Sequence, residues 1–430
     1  MTGSPPVRRD GPGDGLVPPS PAQPRAVITG LGVVSAWGWG VDPFWRGVQG
    51  SVSAIGPFGR IDHGAYRTHV AAEVPPPPAR VAASVAAWGR LSWSERFAVA
   101  AGREAVAAAG LGAVGGPLAA AGVFFGSSTG GMLEGEEFYL RLRRAAVGRA
   151  SLHQLAGQQV SAPAEALARD LGCGGPVETY SSACASGTLA LGRALDALRA
   201  GEVEVAVAGG ADSLCRVTYG GFNALRSVDE GPCRPFRADR SGLSIGEGGA
   251  VLVVETLGSA RRRGAPVLAE LVGSGSSSDA GHMTAPDPEG EGAARALREA
   301  LADAGADPER VSFVNAHGTG TPLNDAAEWR ALASVFGERA TRLPVVATKA
   351  SVGHLLGSAG AIEAVATVLC LSRGVLHPVP DDGETDPDTP VDLVREARPL
   401  PAGGGPAVSL NLAFGGCNAA LVFAAGDAAR

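Results

Sequence analysis

One cysteine, two histidines and a lysine hold most of the chemistry this sequence offers. Cys184 lies in Ser181-Ser182-Ala183-Cys184-Ala185-Ser186-Gly187, small residues that leave room for a substrate. A thiol at a helix N-terminus feels the positive end of the helix dipole, which lowers its pKa and favours the nucleophilic thiolate. The run has no large apolar side chain to bury the sulfur against, so a nucleophile is preferred to a structural cysteine. His317 stands in Asn315-Ala316-His317-Gly318-Thr319-Gly320-Thr321, where glycines keep the surroundings open. Thr319 and Thr321 alternate, so their hydroxyls can face one ligand. His354 closes Thr348-Lys349-Ala350-Ser351-Val352-Gly353-His354.

Lys349 is the only lysine in the chain; every other basic residue is arginine. A composition rich in Ala, Gly, Arg and Pro replaces surface lysines freely, because either residue serves as a solvated charge. A retained lysine then marks a place where a compact ammonium is needed and a planar guanidinium does not fit. Glu363, in the helical pattern that follows, is a fitting partner for it. A cysteine hydrolase needs one base and one orienting group. Two histidines fit two tasks: one in loading an acyl group on sulfur, the other in stabilising a negative oxygen through a neutral Nε2–H. The histidines lack HxxxH or HxH spacing and the cysteines form no CxxC pair, so no metal is expected. Gly30-Leu31-Gly32 lacks the third glycine and the acidic residue of a dinucleotide-binding turn.

The elements that must carry these residues alternate strand and helix. Strands are expected at 26–34, 121–125, 177–180, 203–208 and 250–255, with helices at 94–109 (Ser94 as N-cap) and after Cys184. The pattern resumes with strands at 267–272, 312–316, 345–348, 408–412 and 419–424 and helices at 291–304 and 359–373. This predicts an α/β fold of two similar halves. Residues 1–24 read as a flexible Pro/Gly-rich tail, 25–264 as the half with the nucleophile, and 265–430 as the half with the histidines and lysine.

Composition narrows the class. The hydrophobic fraction of 45% supports a large core. Charged residues make up 18% and the net charge is −7, which argues against nucleic acid as a partner. No apolar run reaches the ~20 residues of a membrane span, and the first residues lack a signal-peptide core. Six scattered cysteines fit a reduced, cytoplasmic protein.

From about Arg25 to Ala425 the chain resembles the β-ketoacyl synthases, the decarboxylating condensing enzymes of the thiolase fold. VITGLGVVS, SSACASG, NAHGTGTPLND, ATKASVGHLLGSAGAIEA and LNLAFGGCNA follow in the family's order. The resemblance implies a thiolase-like α-β-α-β-α layering. It implies that Cys184 takes the acyl chain from an acyl carrier protein, with the N–H groups of Cys184 and Phe414 as oxyanion hole. His317 and His354 would hold the malonyl thioester carbonyl while CO2 leaves. Lys349, paired with Glu363 and Glu328, would organise the histidines. Thr319 and Thr321 would bind the phosphopantetheine arm, Phe414 would gate the site, and Phe222 and Thr129 would line the acyl channel. No cofactor is implied beyond the arm of the carrier protein.

Leu412-Ala413 replaces the family's usual Phe-Gly, which puts the freedom of the Phe414 gate in doubt. The basic patch for the acidic carrier is thin near Arg80 and Arg90; Arg261-Arg262-Arg263 and the Arg234/Arg237/Arg240 cluster are alternatives. The resemblance also implies a dimer, with itself or with a sister subunit. The composition, tail and final motif lean toward type II polyketide or polyene assembly rather than fatty-acid synthesis. Three other readings compete: a non-catalytic chain-length-factor-like subunit, an acyl-transfer or thioester-cleaving enzyme using Cys184 and one histidine, and a thiolase using Cys417 as second cysteine.

Overall fold

The structure, a computed structural model, describes residues 23–112, 116–144, 152–380, 383–401 and 404–426. All but the last two residues of the expected tail lie outside them. The first half carries β1 (Ala26–Ser35), β2 (Gly122–Gly126), β3 (Val177–Tyr180), β4 (Val205–Asp212) and β5 (Gly248–Thr256). The second carries β6 (Ala269–Ser278), β7 (Phe313–Asn315), β8 (Pro344–Val346), β9 (Ala407–Leu412) and β10 (Cys417–Ala425). Pairing runs β3-β2-β4-β5-β1 in the first half and β8-β7-β9-β10-β6 in the second. Both are therefore third, second, fourth, fifth, first. In each the fifth strand is antiparallel to both neighbours and the other pairs are parallel. The duplication faint in the sequence is explicit in this pairing. The halves join where Ala26–Ile28 pairs with Ala269–Leu271.

The main helices are α1 (Trp93–Ala108), α2 (Ala162–Leu171), α3 (Ser186–Arg199), α4 (Glu291–Asp303), α5 (Pro322–Phe336) and α6 (Ala359–Arg373). Helices α1 and α2 pack on the outer face of the first sheet, α4 on the outer face of the second with α5 against it, and α3 and α6 lie between the sheets. This is the expected five-layer arrangement. The central layer is the largest apolar cluster, in which Leu191, Leu195 and Leu198 of α3 meet Ile362, Val365 and Leu369 of α6. The segment Leu356–Arg373 is apolar and long enough to cross a membrane, but 89% of it is buried here. It is a core helix.

Local rules explain most boundaries. Helix α1 is capped two residues earlier than expected: Ser92, not Ser94, accepts from the Glu95 N–H while Glu95 reaches back to the Ser92 N–H. Ser94 is instead buried inside the helix. Such a reciprocal box satisfies two orphan donors, which a lone serine cannot do. Strand β4 runs on through Gly209 and Gly210 instead of ending before them, because neighbouring strands pair with both. That extension carries Asp212 to the end of the sheet. Strand β6 likewise continues past Val272 to Ser278, paired along β10.

Candidate active site

The chemistry-bearing residues gather beyond the carboxyl ends of the parallel strands, as open α/β sheets dictate. Cys184 follows β3 and precedes α3. His317 follows β7, and Lys349 and His354 lie between β8 and α6. Phe414 stands in the turn between β9 and β10. Two turns are bent out of the ordinary. Ala183, just before the nucleophile, has φ +45°, and Leu356, just after His354, has φ +54°. Both are conformations that L-residues rarely adopt and that the surrounding structure must hold. Close backbone approach helps: a Cβ on Gly126 would lie 2.4 Å from the Gly187 nitrogen, so only glycine lets β2 end against the start of α3.

The site's geometry assigns tautomers. His354 Nε2 lies 3.0 Å from Cys184 Sγ. Its Nδ1 accepts the Leu356 N–H at 3.1 Å, so the proton of the neutral ring sits on Nε2. His317 Nδ1 lies 3.0 Å from Lys349 Nζ and 3.2 Å from Asn411 Nδ2, both donors. Its proton is also on Nε2. The two rings stand edge to face with centroids 5.4 Å apart. Lys349 is ion-paired with Glu363, whose other oxygen accepts from Asn411 at 2.7 Å. All five of these polar residues are buried. Glu328 serves differently from the expected lysine partner: it accepts the N–H groups of His317 and Gly318 at 2.6 and 2.8 Å and so fixes the histidine's backbone.

Burial dominates the electrostatics. It holds His317 and His354 well below the usual imidazole range, and the Lys349 ammonium pushes the same way. Both rings are neutral donors at neutral pH. Burial also pushes the Cys184 thiol up to about 11. Lys349 and hydrogen bonds from the backbone of Phe414 and of Cys184 itself work against that shift without overcoming it. The expected lowering at the α3 N-terminus is therefore corrected: the resting group is a thiol. Burial raises Glu363 against the opposing pull of Lys349, and raises Glu328 to about 8.

Cys184, His317 and His354 face a cavity of about 310 Å³ whose walls include Thr319, Thr321, Phe222 and Phe414. The two threonine hydroxyls lie 3.0 Å apart, and the Phe222 and Phe414 rings are 5.5 Å apart. Thr129 is not among the lining residues. Its hydroxyl and N–H are both committed to Asp212, at 2.8 Å each. Cys417, half-buried at the start of β10, does not line the cavity either. Ala413 sits without strain; the left-handed positions of the turn are Gly415 and Gly416.

The arginine clusters are tied up locally. Arg234 pairs with Asp229 and Asp239, Arg237 with Asp239, and Arg240 with Asp325 and Asp386. Arg262 pairs with Glu204 and Arg263 with Glu255. Arg80 and Arg90 are exposed. The sequence reading missed Asn411, a buried amide in the mostly apolar strand β9, which is itself the available signal. It also missed Arg226, exposed at the cavity mouth.

Residues 23–260 match the model of the β-ketoacyl synthase N-terminal domain, and residues 268–381 that of the C-terminal domain. The chain belongs to the β-ketoacyl synthase family. It is 37% identical over 413 residues to the 3-oxoacyl-[acyl-carrier-protein] synthase 2 of Staphylococcus aureus strain N315, covering 93% of this chain and 98% of that one. Among solved structures it resembles the ishigamide ketosynthase/chain length factor, with TM-score 0.88 and 33% identity over 94% of this chain and all of that one. It also resembles a type II polyketide acyl-carrier protein in complex with its ketosynthase bound to the hexaketide, with TM-score 0.81 and 29% identity over 94% of this chain and all of that one. The synthase is thus a condensing acyltransferase with the thiolase-like fold.

Proposed function

We propose that the synthase loads an acyl group from an acyl carrier protein onto Cys184 and extends it with a malonyl unit in type II polyketide or polyene assembly. The observation that carries this reading is the pair of imidazoles that line the cavity with Cys184, with both Nδ1 atoms occupied by donors so that each ring carries its proton on Nε2. Such rings donate to an oxyanion and are poor general bases, which suits enolate stabilisation better than hydrolysis.

The steps follow from this chain's own groups. The Cys184 sulfur attacks the acyl thioester, the new S–C bond replaces the pantetheine S–C bond, and the thiol proton of Cys184 passes to the departing pantetheine sulfur. The backbone N–H groups of Cys184 and Phe414 face the developing oxyanion. A malonyl thioester then enters past Thr319 and Thr321, its carbonyl oxygen between His317 and His354. Loss of CO2 leaves an enolate, held by the two Nε2–H donors. Its carbon attacks the acyl-Cys184 carbonyl, a C–C bond forms, and the Cys184 S–C bond breaks to give the β-ketoacyl product. The departing Cys184 thiolate takes up one proton from solvent, which balances the negative charge brought in by the malonyl carboxylate.

No metal or other cofactor enters this scheme. The ligand atoms of Cys184, His317 and His354 lie within 4.8 Å of one another. Yet both Nε2 atoms carry protons in the tautomers their neighbours fix, so neither offers a lone pair inward.

The partner is read as a ketosynthase-like sister subunit. The solved ishigamide protein, similar over 94% of this chain, is described as a ketosynthase/chain length factor. Tyr139, Leu142 and Leu152 are exposed apolar side chains, and β3 is a half-exposed sheet edge. A homodimer is the second form of this reading. Cys184, both histidines and Lys349 together disfavour the non-catalytic subunit. Six unpaired cysteines fit a cytoplasmic setting.

The test is reconstitution. Purified synthase and its sister subunit, given acyl- and malonyl-acyl carrier proteins, are expected to release one CO2 per β-ketoacyl product. Free acid in place of that product would establish a thioester-cleaving enzyme and overturn the proposal.

A further inference from the structure

We propose that Asp212 is a positioning residue that locks the Cys184 turn and the His354 turn onto one platform. The carboxylate is fully buried. It accepts the Ser127 hydroxyl at 2.8 Å, the Ser128 N–H at 3.0 Å, and the Thr129 N–H and hydroxyl at 2.8 Å each. These donors are all neutral and all belong to the loop that follows β2. A buried carboxylate is costly unless it is fully hydrogen-bonded, so this loop and Asp212 hold each other in place.

The loop carries that order to both catalytic turns. The Ser128 hydroxyl donates to the Ala183 carbonyl at 3.0 Å, and the Ser186 hydroxyl donates to the same oxygen at 2.6 Å. Ala183 is the strained residue next to the nucleophile. On the other side the turn after His354 packs without a gap. A Cβ on Gly357 would lie 2.6 Å from the Ser128 nitrogen and 2.7 Å from Asp212 Oδ2. The 3.0 Å separation of Sγ and His354 Nε2 therefore depends on two strained turns resting on the same loop.

The duplicated fold supplies an independent argument. Gly126 of β2 pairs with Gly210 of β4, and Asn315 of β7 pairs with Ser409 of β9. Two residues beyond each pair stand Ser128 with Asp212, and His317 with Asn411. Asp212 thus occupies in the first half the place that Asn411 occupies in the second. Asn411 braces His317 and Glu363 and meets Thr188 of α3. Each half carries, at or next to the end of its fourth strand, a buried polar residue that braces the site formed jointly with the other half.

This inference rests on Cys184 being the acylated residue. Its test compares wild type, Asp212→Asn and Ser128→Ala in three measurements: acyl loading by intact mass, alkylation of Cys184 by iodoacetamide, and CO2 release from malonyl-acyl carrier protein. Thermal unfolding of each variant is followed in parallel. Loading and alkylation are expected to fall by about tenfold or more in Asp212→Asn, since misplacing a reacting atom is costly, and less in Ser128→Ala. The KM for the acyl carrier is expected to hold, and CO2 release to fall less than loading because Asn411 and Lys349 still brace His317. Wild-type loading and alkylation in either folded variant would overturn the proposal. So would an equal fall of all three rates in step with stability, the mark of a merely structural role. If Asp212→Asn does not fold, Ser128→Ala decides by the same criteria. If wild type accepts no acyl group, the reading of Cys184 fails, and alkylation still tests Asp212.

Discussion

His317→Ala is expected to slow CO2 release from malonyl-acyl carrier protein by about 10²–10³-fold, the usual cost of removing one oxyanion donor from a dry site. Acyl loading of Cys184 should persist, because His317 makes no hydrogen bond to the sulfur, whereas His354 Nε2 lies 3.0 Å from it. His354→Ala should slow both steps. Histidines acting as neutral donors also predict a pH profile. Their depressed pKa values mean that the neutral form is lost only when pH falls well below the usual imidazole range. CO2 release should therefore stay flat from about pH 8 to pH 6, across the ordinary histidine pKa of about 6.5. A rate that halves near that value would mean that one ring is titrating and the donor assignment is wrong.

Lys349→Met is expected to cost about 3–5 kcal/mol of stability, the typical penalty for stranding one partner of a buried ion pair. Glu363 is fully buried, and Lys349 supplies the largest effect opposing its burial. With the ammonium gone, folded Glu363 holds its proton to higher pH than the unfolded chain does. The fold then binds more protons than the unfolded state, so stability falls as pH rises from about 5 toward 8. Urea unfolding at both ends of that range measures it. Adding Glu363→Gln should recover much of the stability, because no charge is left buried. It should not recover CO2 release, because His317 Nδ1 has still lost its ammonium donor. A single variant as stable as wild type at pH 8 would show that Lys349 and Glu363 are not the coupled pair described. Lys349→Arg should also fail, since a guanidinium does not fit a site only 1% exposed.

Much of this arrangement was legible in the residues. Apolar runs ending in glycines marked most core strands, and small residues followed by Leu191, Leu195 and Leu198 marked the nucleophile turn and its helix. The lone lysine in an arginine-rich chain pointed to a special site, and it lies against His317 and Glu363. What spacing did not carry was convergence. Cys184 and His354 are 170 positions apart; residue chemistry and the motif order of the family suggested that they work together, but no spacing rule places them in contact. Environment was harder still. The helix start argued for an acidic thiol, but local sequence does not record burial, and burial decided the direction. The Arg234–Arg240 cluster read as a run of like charge, and only the fold shows that Asp229, Asp239, Asp325 and Asp386 pair with it. Asp212 and Asn411 escaped notice for a related reason. A polar residue near the end of a largely apolar strand gains meaning only when the paired strand places it beside a catalytic turn.

The central claim is that Cys184 is acylated and that the acyl group is the one extended. Intact-protein mass spectrometry tests it most directly, with a panel of acyl-carrier-protein thioesters offered to the wild type and to Cys184→Ala, each with its sister subunit. The account predicts a covalent acyl adduct on the wild type, absent from Cys184→Ala and consumed when malonyl-acyl carrier protein is added. An adduct that survives in Cys184→Ala, or one that malonyl-acyl carrier protein leaves untouched, would contradict it.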